Sequence, residues 1–316
     1  MNKLFGLIIL SCLLFMGGQA QAATPLVSVD WVKNNLGKEG IVFLDVRGPL
    51  AGKTKADYLR GHIPGAVWTD YLMGGWRVAN KDKIVGMLPP VTKLEKLIGG
   101  LGIGNNDHVV IIPNGGKALD VGTATRVYWT FKVLGHENVS ILNGGMVAYL
   151  KDMDAKTKKP VNPLEKGMVK VAAKSFKGSL QQAMIINKAD VSKASKTDGV
   201  LVDNRPHNQF IGINKHPKAT RFGTIPNSKS LPENWLTKNG GGMFSSPARL
   251  NKLYTYASIP TKGSQINFCN TGHWASLGWF VSHEILGNKE AKMYDGSMAE
   301  WTADNGLPIQ ETAKIN

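Results

Sequence analysis

Cysteine is nearly absent from this chain: its 316 residues contain two, Cys12 and Cys269. Cys12 lies in the apolar run Leu4–Met16, which follows the basic start Met1-Asn-Lys3 and precedes the small-x-small signal Ala20-Gln-Ala22. That order has the form of an export leader covering residues 1–22, cleaved after about Ala22, and it points to a periplasmic protein. Loss of the leader removes Cys12, so Cys269 has no partner for an intramolecular disulfide. The scarcity of cysteine, with no close histidine pair on one helix face, also argues against a zinc site, and no metal is expected. No other stretch is long and apolar enough to span a bilayer, which excludes stable membrane insertion. No dinucleotide fingerprint occurs. Gly240-Gly-Gly242 lacks the Gly-Lys-Ser/Thr ending of a phosphate loop, reads as a flexible turn, and leaves no cofactor implied.

Acidic residues are also few. Lysine and arginine number 38 against 23 aspartates and glutamates, for a net charge of +15. The lysines are scattered and no aromatic–basic motif accompanies them, so no nucleic-acid partner is expected. Their densest cluster, Lys151–Lys174, contains Pro160 and Pro163 and reads as a solvated linker.

What is present centres on Cys269, in Gln265-Ile-Asn-Phe-Cys-Asn-Thr-Gly-His-Trp-Ala275. Ile266–Phe268 reads as a buried strand. Trp274–Leu286 reads as a helix with Trp274, Leu277, Phe280, Val281 and Ile285 on one side. A thiol between them sits at a strand end facing a helix N-terminus, where unpaired N–H groups and the helix dipole favour negative charge. The alternative is a small, inert core side chain, since cysteine is often buried.

The chain is also a duplication. Ile41-Val-Phe-Leu-Asp-Val-Arg47 and Arg60-Gly-His-Ile-Pro-Gly-Ala66 are answered by Val200-Leu-Val-Asp-Asn-Arg205 and Phe222-Gly-Thr-Ile-Pro-Asn-Ser228. Val139-Ser-Ile-Leu-Asn-Gly-Gly-Met146 is answered by Ala291-Lys-Met-Tyr-Asp-Gly-Ser-Met298, at an offset of 152 residues. Each copy alternates buried strands with helices, which predicts α/β domains, each a mainly parallel sheet flanked by helices. The expected division is 23–155, a basic linker over 156–175, and 176–316. The same offset sets Lys117 against Cys269, so one copy holds a nucleophile and the other does not.

Asp-x-Arg, then Gly-His-Ile-Pro-Gly-Ala, then a strand-end cysteine loop, then Tyr-Asp-Gly-Ser-x-x-Glu-Trp (Tyr294–Trp301) is similar to the order of landmarks in tandem-domain rhodaneses, the thiosulfate and 3-mercaptopyruvate sulfurtransferases. The resemblance covers nearly the whole chain beyond the leader. It implies two rhodanese-like domains, a non-catalytic first and a catalytic second, with the active site between them. It also implies a persulfide on Cys269, a small-molecule sulfur donor and a thiophilic acceptor, which includes a periplasmic acceptor protein. A tight loop can hold that anion with the N–H groups of Asn270, Thr271, Gly272, His273, Trp274 and Ala275. Gly272 is expected in a backbone conformation that other residues resist.

The family places an arginine such as Arg205 at the active-site mouth, and a planar guanidinium suits thiosulfate or a carboxylate; the alternative is a strand-end salt bridge. Asp203, Arg47 and His62 read as structural. Trp76 and Arg77, in the loop beyond His62, are candidates for the cleft wall. The loop departs from the thiosulfate enzymes: Thr271 stands where they place a lysine, and His273 and Trp274 replace smaller residues. A cationic His273 can attract an anionic donor, and Trp274 reads as core or as pocket wall. A phosphatase of the Cys-x5-Arg type is disfavoured, because Ala275 stands at that position and no arginine follows Cys269. A non-enzymatic sulfur carrier is the remaining alternative.

Overall fold

The computed structural model describes residues 23–315, so the leader and Cys12 lie outside the described residues. Each copy builds one five-stranded parallel sheet. In the first, β1 (Leu26–Val27), β2 (Ile41–Asp45), β3 (Val67–Trp68), β4 (His108–Ile112) and β5 (Val139–Leu142) lie in the order β1-β5-β4-β2-β3. In the second, β6 (Ile185–Ile186), β7 (Val200–Asp203), β8 (Lys229–Ser230), β9 (Gln265–Phe268) and β10 (Ala291–Tyr294) repeat it as β6-β10-β9-β7-β8. Both central strands are sealed by helices on two faces, which is why β4 beyond His108 and all of β9 are buried. The first-domain helices are α1 (Val29–Lys33), α2 (Lys55–Arg60), α3 (Val91–Gly100), α4 (Ala118–Val133) and α5 (Gly145–Tyr149). Those of the second are α6 (Lys188–Ala194), α7 (His207–Phe210), α8 (Pro247–Tyr256), α9 (His273–Phe280) and α10 (Ser297–Ala303).

Sheet register revises the one-offset alignment. Asp45 pairs with Ile112, and Asp203 pairs with Phe268. The residue next in line is therefore Pro113 in the first domain and Cys269 in the second. Lys117 is not the counterpart of Cys269: the offset is 156 residues at this strand end, 155 at the start of the following helix and 152 only at β5 and β10.

The Asp-x-Arg pairs are buried anchors in both domains. Arg47 donates from Nε to Asp45 Oδ2 at 2.9 Å and from Nη2 to Gly61 O at 2.9 Å. Arg205 repeats this, from Nε to Asp203 Oδ1 at 2.9 Å and from Nη2 to Gly223 O at 2.9 Å. Asp203 also accepts the Thr224 hydroxyl at 2.7 Å and the backbone N–H of Arg205 at 3.0 Å. Arg205 is 0% exposed. Its donors are used to fasten the strand end to the Gly-Thr-Ile-Pro turn, so the expectation that it greets a substrate is corrected. His62 is likewise internal, with Nδ1 2.9 Å from Tyr58 O and its ring stacked on Tyr58.

The domains meet through α4 and α9. Both are buried nearly all round, because each lies between its own sheet and the other helix. This corrects the one-sided reading of the second helix. Tyr128 packs edge-on against Phe280 with ring centres 4.8 Å apart, and the Thr125 and Ser276 hydroxyls bond at 2.8 Å. The expected helix to Leu286 gives way after Phe280 to a π-turn over Val281–Ile285. There the Ser282 hydroxyl bonds Gly278 O at 3.0 Å, a side-chain competition that distorts helices. Gly242 is no free turn either: a Cβ there meets Gly115 O at 1.9 Å, so the two domains' backbones touch.

The basic linker is exposed but pinned. Glu165 exchanges backbone bonds with His62 at 3.0 Å in both directions, Lys174 N donates to Gly99 O at 2.9 Å, and Phe176 is buried against Phe131. A solvated tether was expected; the chain is instead a strap along the first domain. For the anchors the prediction is energetic. Arg205→Ala leaves Asp203 as an unpaired buried charge and should cost about 3–5 kcal/mol in urea unfolding. An Arg205→Ala variant that unfolds like the wild type while losing substrate affinity contradicts the anchor assignment.

Candidate active site

Cys269 follows β9 directly, is 1% exposed, and lines a cavity of about 400 Å³ whose walls come from both domains. Among the described residues it is the one free cysteine. The loop around it is fastened from both domains. Cys269 O accepts Met298 N and Asn270 O accepts Ala299 N, both at 2.9 Å. Thr271 O accepts Arg77 Nη2 at 2.7 Å, and Gly272 O accepts Arg126 Nη1 at 3.2 Å. Four successive carbonyls are thus drawn away to α10 and to the first domain. In a trans peptide each N–H points away from the carbonyl before it, so the amides of Asn270 and Thr271 point away from α10 and that of His273 points away from Arg126. The amide of Gly272 is taken by Ser297 Oγ at 3.2 Å, which also accepts Cys269 N at 3.0 Å.

Two residues hold this shape at some cost. Ser297 is left-handed, with φ +49°, and its hydroxyl donates back to Tyr294 O at 2.8 Å. Gly272 has φ +72°, and a Cβ there lies 2.3 Å from Arg126 Nη1 and 2.8 Å from Asp295 Oδ1. The expectation for Gly272 is met on two grounds, backbone conformation and close approach. Arg126 is 0% exposed, stands 2.5 Å from Asp295 Oδ1, and also donates to Gly86 O at 3.1 Å. Asp295 Oδ2 in turn accepts Leu88 N at 2.6 Å.

His273 is neutral. Its Nε2 lies 2.8 Å from Leu119 O and its Nδ1 lies 2.9 Å from Tyr71 OH. A carbonyl only accepts, so Nε2 carries the proton and Nδ1 accepts from the Tyr71 hydroxyl. Burial first, then the positive charge of Arg77, pushes His273 down to about 3. Burial also pushes Tyr71 up, keeping its proton in place. The expectation of a cationic His273 is corrected: the ring joins the second-domain loop to α4 of the first.

Positive charge enters the cavity from elsewhere. Arg77 and Lys218 supply it, His216 lines the cavity beside them, and no carboxylate does among the described residues. Burial, Lys218 and Arg77 together push His216 below its ordinary value. Of the two cleft candidates, Arg77 reaches the cavity, whereas Trp76 is buried and bonds Thr69 Oγ1 at 2.9 Å. Asn270, Thr271 and Trp274 line the cavity, Trp274 as a wall, while Ala275 is 0% exposed in the core of α9. Asn270 donates from Nδ2 to Gln209 Oε1 at 2.9 Å. Arg205 is not among the lining residues. Sequence reading did not single out Arg126, Tyr71, His216, Lys218 or Asp295. Asp295 alone carried a signal, since it sits in the Tyr-Asp-Gly-Ser motif opposite Asn143 of the first copy.

The first domain fills its own version of this loop. The amides of Gly115, Gly116 and Lys117 donate to the Asp120 carboxylate at 2.7, 2.9 and 2.9 Å. A loop of this design therefore closes on an anion supplied by its own chain. In the second domain no carboxylate is among the described residues that line the space beside the loop; a thiol and a cavity stand there instead.

Comparison with known proteins agrees with this arrangement. Residues 28–152 and 187–304 both match the Rhodanese-like domain. A putative thiosulfate sulfurtransferase of Saccharopolyspora erythraea is 32% identical over 292 residues, covering 90% of this chain and 95% of that protein. The sulfur carrier protein TtuD of Thermus thermophilus is 29% identical, covering 90% and 95%. Among solved structures, SseA of Escherichia coli, a 3-mercaptopyruvate sulfurtransferase, superposes with a TM-score of 0.73 at 24% identity, covering 87% of this chain and 99% of that one. The chain belongs to the rhodanese family, as a sulfurtransferase built from two tandem rhodanese-like domains.

Proposed function

We propose that this protein moves sulfane sulfur from a small anionic donor, thiosulfate or 3-mercaptopyruvate, to a thiophilic acceptor through a persulfide on Cys269. The observation that carries the reading is the buried Cys269 thiol at the end of β9, on a cavity that both domains line and that Arg77 and Lys218 make cationic. With thiosulfate, the Cys269 thiolate attacks the outer sulfur. The sulfur–sulfur bond of the donor breaks, and sulfite leaves with the electron pair. The persulfide anion that remains is held by the loop amides, as an oxyanion is held in acyl transfer. An acceptor such as cyanide or a thiolate then attacks the outer sulfur and returns Cys269 as a thiolate. Arg77, assisted by Lys218, attracts the donor anion, the role that sequence reading gave to Arg205. The leader form of residues 1–22 supports export as the setting of this chemistry.

The likeness to TtuD keeps a sulfur-carrier role as the second reading. Turnover with a small acceptor separates the two, since a carrier loads Cys269 without turning over cyanide.

For the enzyme reading, donor treatment should add one sulfur atom to the protein, and Cys269→Ser should remove both the added mass and turnover. Full activity in Cys269→Ser ends the proposal. Arg77→Ala should lower kcat/KM for an anionic donor by roughly 10- to 100-fold, the loss of a charged hydrogen bond. It should do so mainly through KM, and an unchanged KM contradicts donor binding by Arg77.

His273 gives a separate expectation. Its folded-state value of about 3 lies below the ordinary 6.5, so it does not change charge between pH 5 and 9. Nitrogen-15 NMR should find the Nε2–H form throughout that range, and no limb of the pH–rate profile should belong to it. The unfolded chain takes up this proton near pH 6.5 and the folded chain does not. Stability should therefore fall as pH drops below 6.5, by up to about 1.4 kcal/mol per unit from this group. A His273 signal titrating near pH 6.5 contradicts the buried neutral ring.

A further inference from the structure

A second pocket lies in the second domain, apart from the cysteine loop. Its volume of about 720 Å³ falls within the roughly 300–1,000 Å³ typical of sites for organic ligands. It shares no lining residue with the cavity beside Cys269. One side of it is α8. Arg249, Lys252, Leu253 and Tyr256 have the i, i+3, i+4, i+7 spacing of a single helix face, and all four line the pocket. Leu250 and Tyr254, on another face, hold the helix to the core, so the pocket face is not the one that packing uses. The other side comes from residues 234–240. Thr237 bridges to Phe244, Lys238 N donates to Met243 O at 2.8 Å, and Phe244 N donates to Asn143 Oδ1 of the first domain at 3.0 Å. This wall is braced without any ligand.

The lining has a definite chemistry. Trp235 is 39% exposed and Tyr256 78%, with ring centres 6.4 Å apart and planes inclined at 55°. A third ring that stacks on one of them meets the edge of the other, and both are favourable aromatic contacts. Arg249 and Lys252 add two positive charges that have no partner among the described residues, and none of these residues brings a carboxylate to the pocket. Thr237 is 2% exposed, and its hydroxyl also lacks a hydrogen-bond partner. An unpaired buried hydroxyl costs stability until a polar group meets it.

We infer that this pocket binds a small aromatic anion, a flat ring that carries a carboxylate or a phosphate. The ring lies against Trp235 and Tyr256 over Leu253, and the anionic group meets Arg249 and Lys252. A protein surface covers the exposed rings but does not enter the concavity that Thr237 lines, so the occupant is a small molecule. The inference does not depend on the sulfur-transfer reading, since neither the thiol nor its loop takes part.

Isothermal titration calorimetry on the chain without its leader separates the two halves of the ligand. Indoleacetate probes the carboxylate source and adenosine monophosphate the phosphate source. Indole and adenosine supply the ring alone, and acetate and inorganic phosphate supply the charge alone. One or both ring-bearing anions should bind with Kd below about 1 mM, and about tenfold or more tighter than either half. Arg249→Glu and Lys252→Glu, both at exposed positions, should each weaken that binding by about tenfold or more. Trp235→Ala should weaken it by about three- to tenfold. Arg77→Ala, in the other cavity, should leave it unchanged. Three results overturn the inference: no saturable binding of either ring-bearing anion, equal binding of acetate or phosphate alone, or binding that Arg77→Ala removes and both charge variants on α8 retain.

Discussion

The buried ion pair between Arg126 and Asp295 is the constraint on which the site depends. Arg126 belongs to the first-domain helix α4 and is fully enclosed, yet its partners are Asp295 and Gly272 O in the second domain and Gly86 O in its own. A guanidinium removed from water needs a counter-charge and acceptors, and these three groups supply them to its terminal nitrogens, while Nε has no partner. Holding Gly272 O turns that peptide, and Arg77 on Thr271 O turns the one before it. The first domain therefore shapes the cysteine loop directly, although it holds no nucleophile. Asp295 receives Leu88 N with its other oxygen, so the same carboxylate fixes the loop that leads to the cavity wall. Asn143 performs the matching task in reverse, accepting Phe244 N of the second domain at 3.0 Å.

Duplication explains how such a division arises. Both copies keep the Asp–Arg anchor, the parallel sheet and a glycine-containing loop after the fourth strand of the copy. They differ in what the loop surrounds. In the first domain the Asp120 carboxyl group accepts from three amides. In the second, the room beside the loop is a cavity with cationic lining. The loop amides at this strand end are thus satisfied by a carboxyl of their own chain in the first copy, whereas in the second the Gly272 amide is met by the Ser297 hydroxyl.

The strands, the duplication and the cysteine loop were legible because they are local. Buried parallel strands read as short apolar runs, and Gly272 sits where the turn between β9 and α9 needs a left-handed residue. The wall of the site was not legible, because its parts come together only when α4 packs on α9. Tyr71 and His273 are separated by 202 residues and Arg77 and Thr271 by 194. Arg205 was misread for an instructive reason. Arg47 carries the same motif in a copy without a nucleophile, and a feature kept in both copies points to the fold before it points to catalysis. His273 was misread because burial holds neutral a ring that an exposed loop would leave free to take up a proton.

The chemistry that follows is electrostatic. On the proposed route a persulfide anion forms at a buried thiol, where fixed dipoles must replace part of the water that is lost. The central claim is that this persulfide lies on the reaction path. Its most direct test is rapid-quench intact-mass analysis of a single turnover with thiosulfate, followed by a chase with cyanide. The account predicts that protein carrying one added sulfur on Cys269 forms and then discharges at rates no slower than kcat. Thiocyanate released without that species, or a loaded protein that discharges more slowly than turnover, contradicts it.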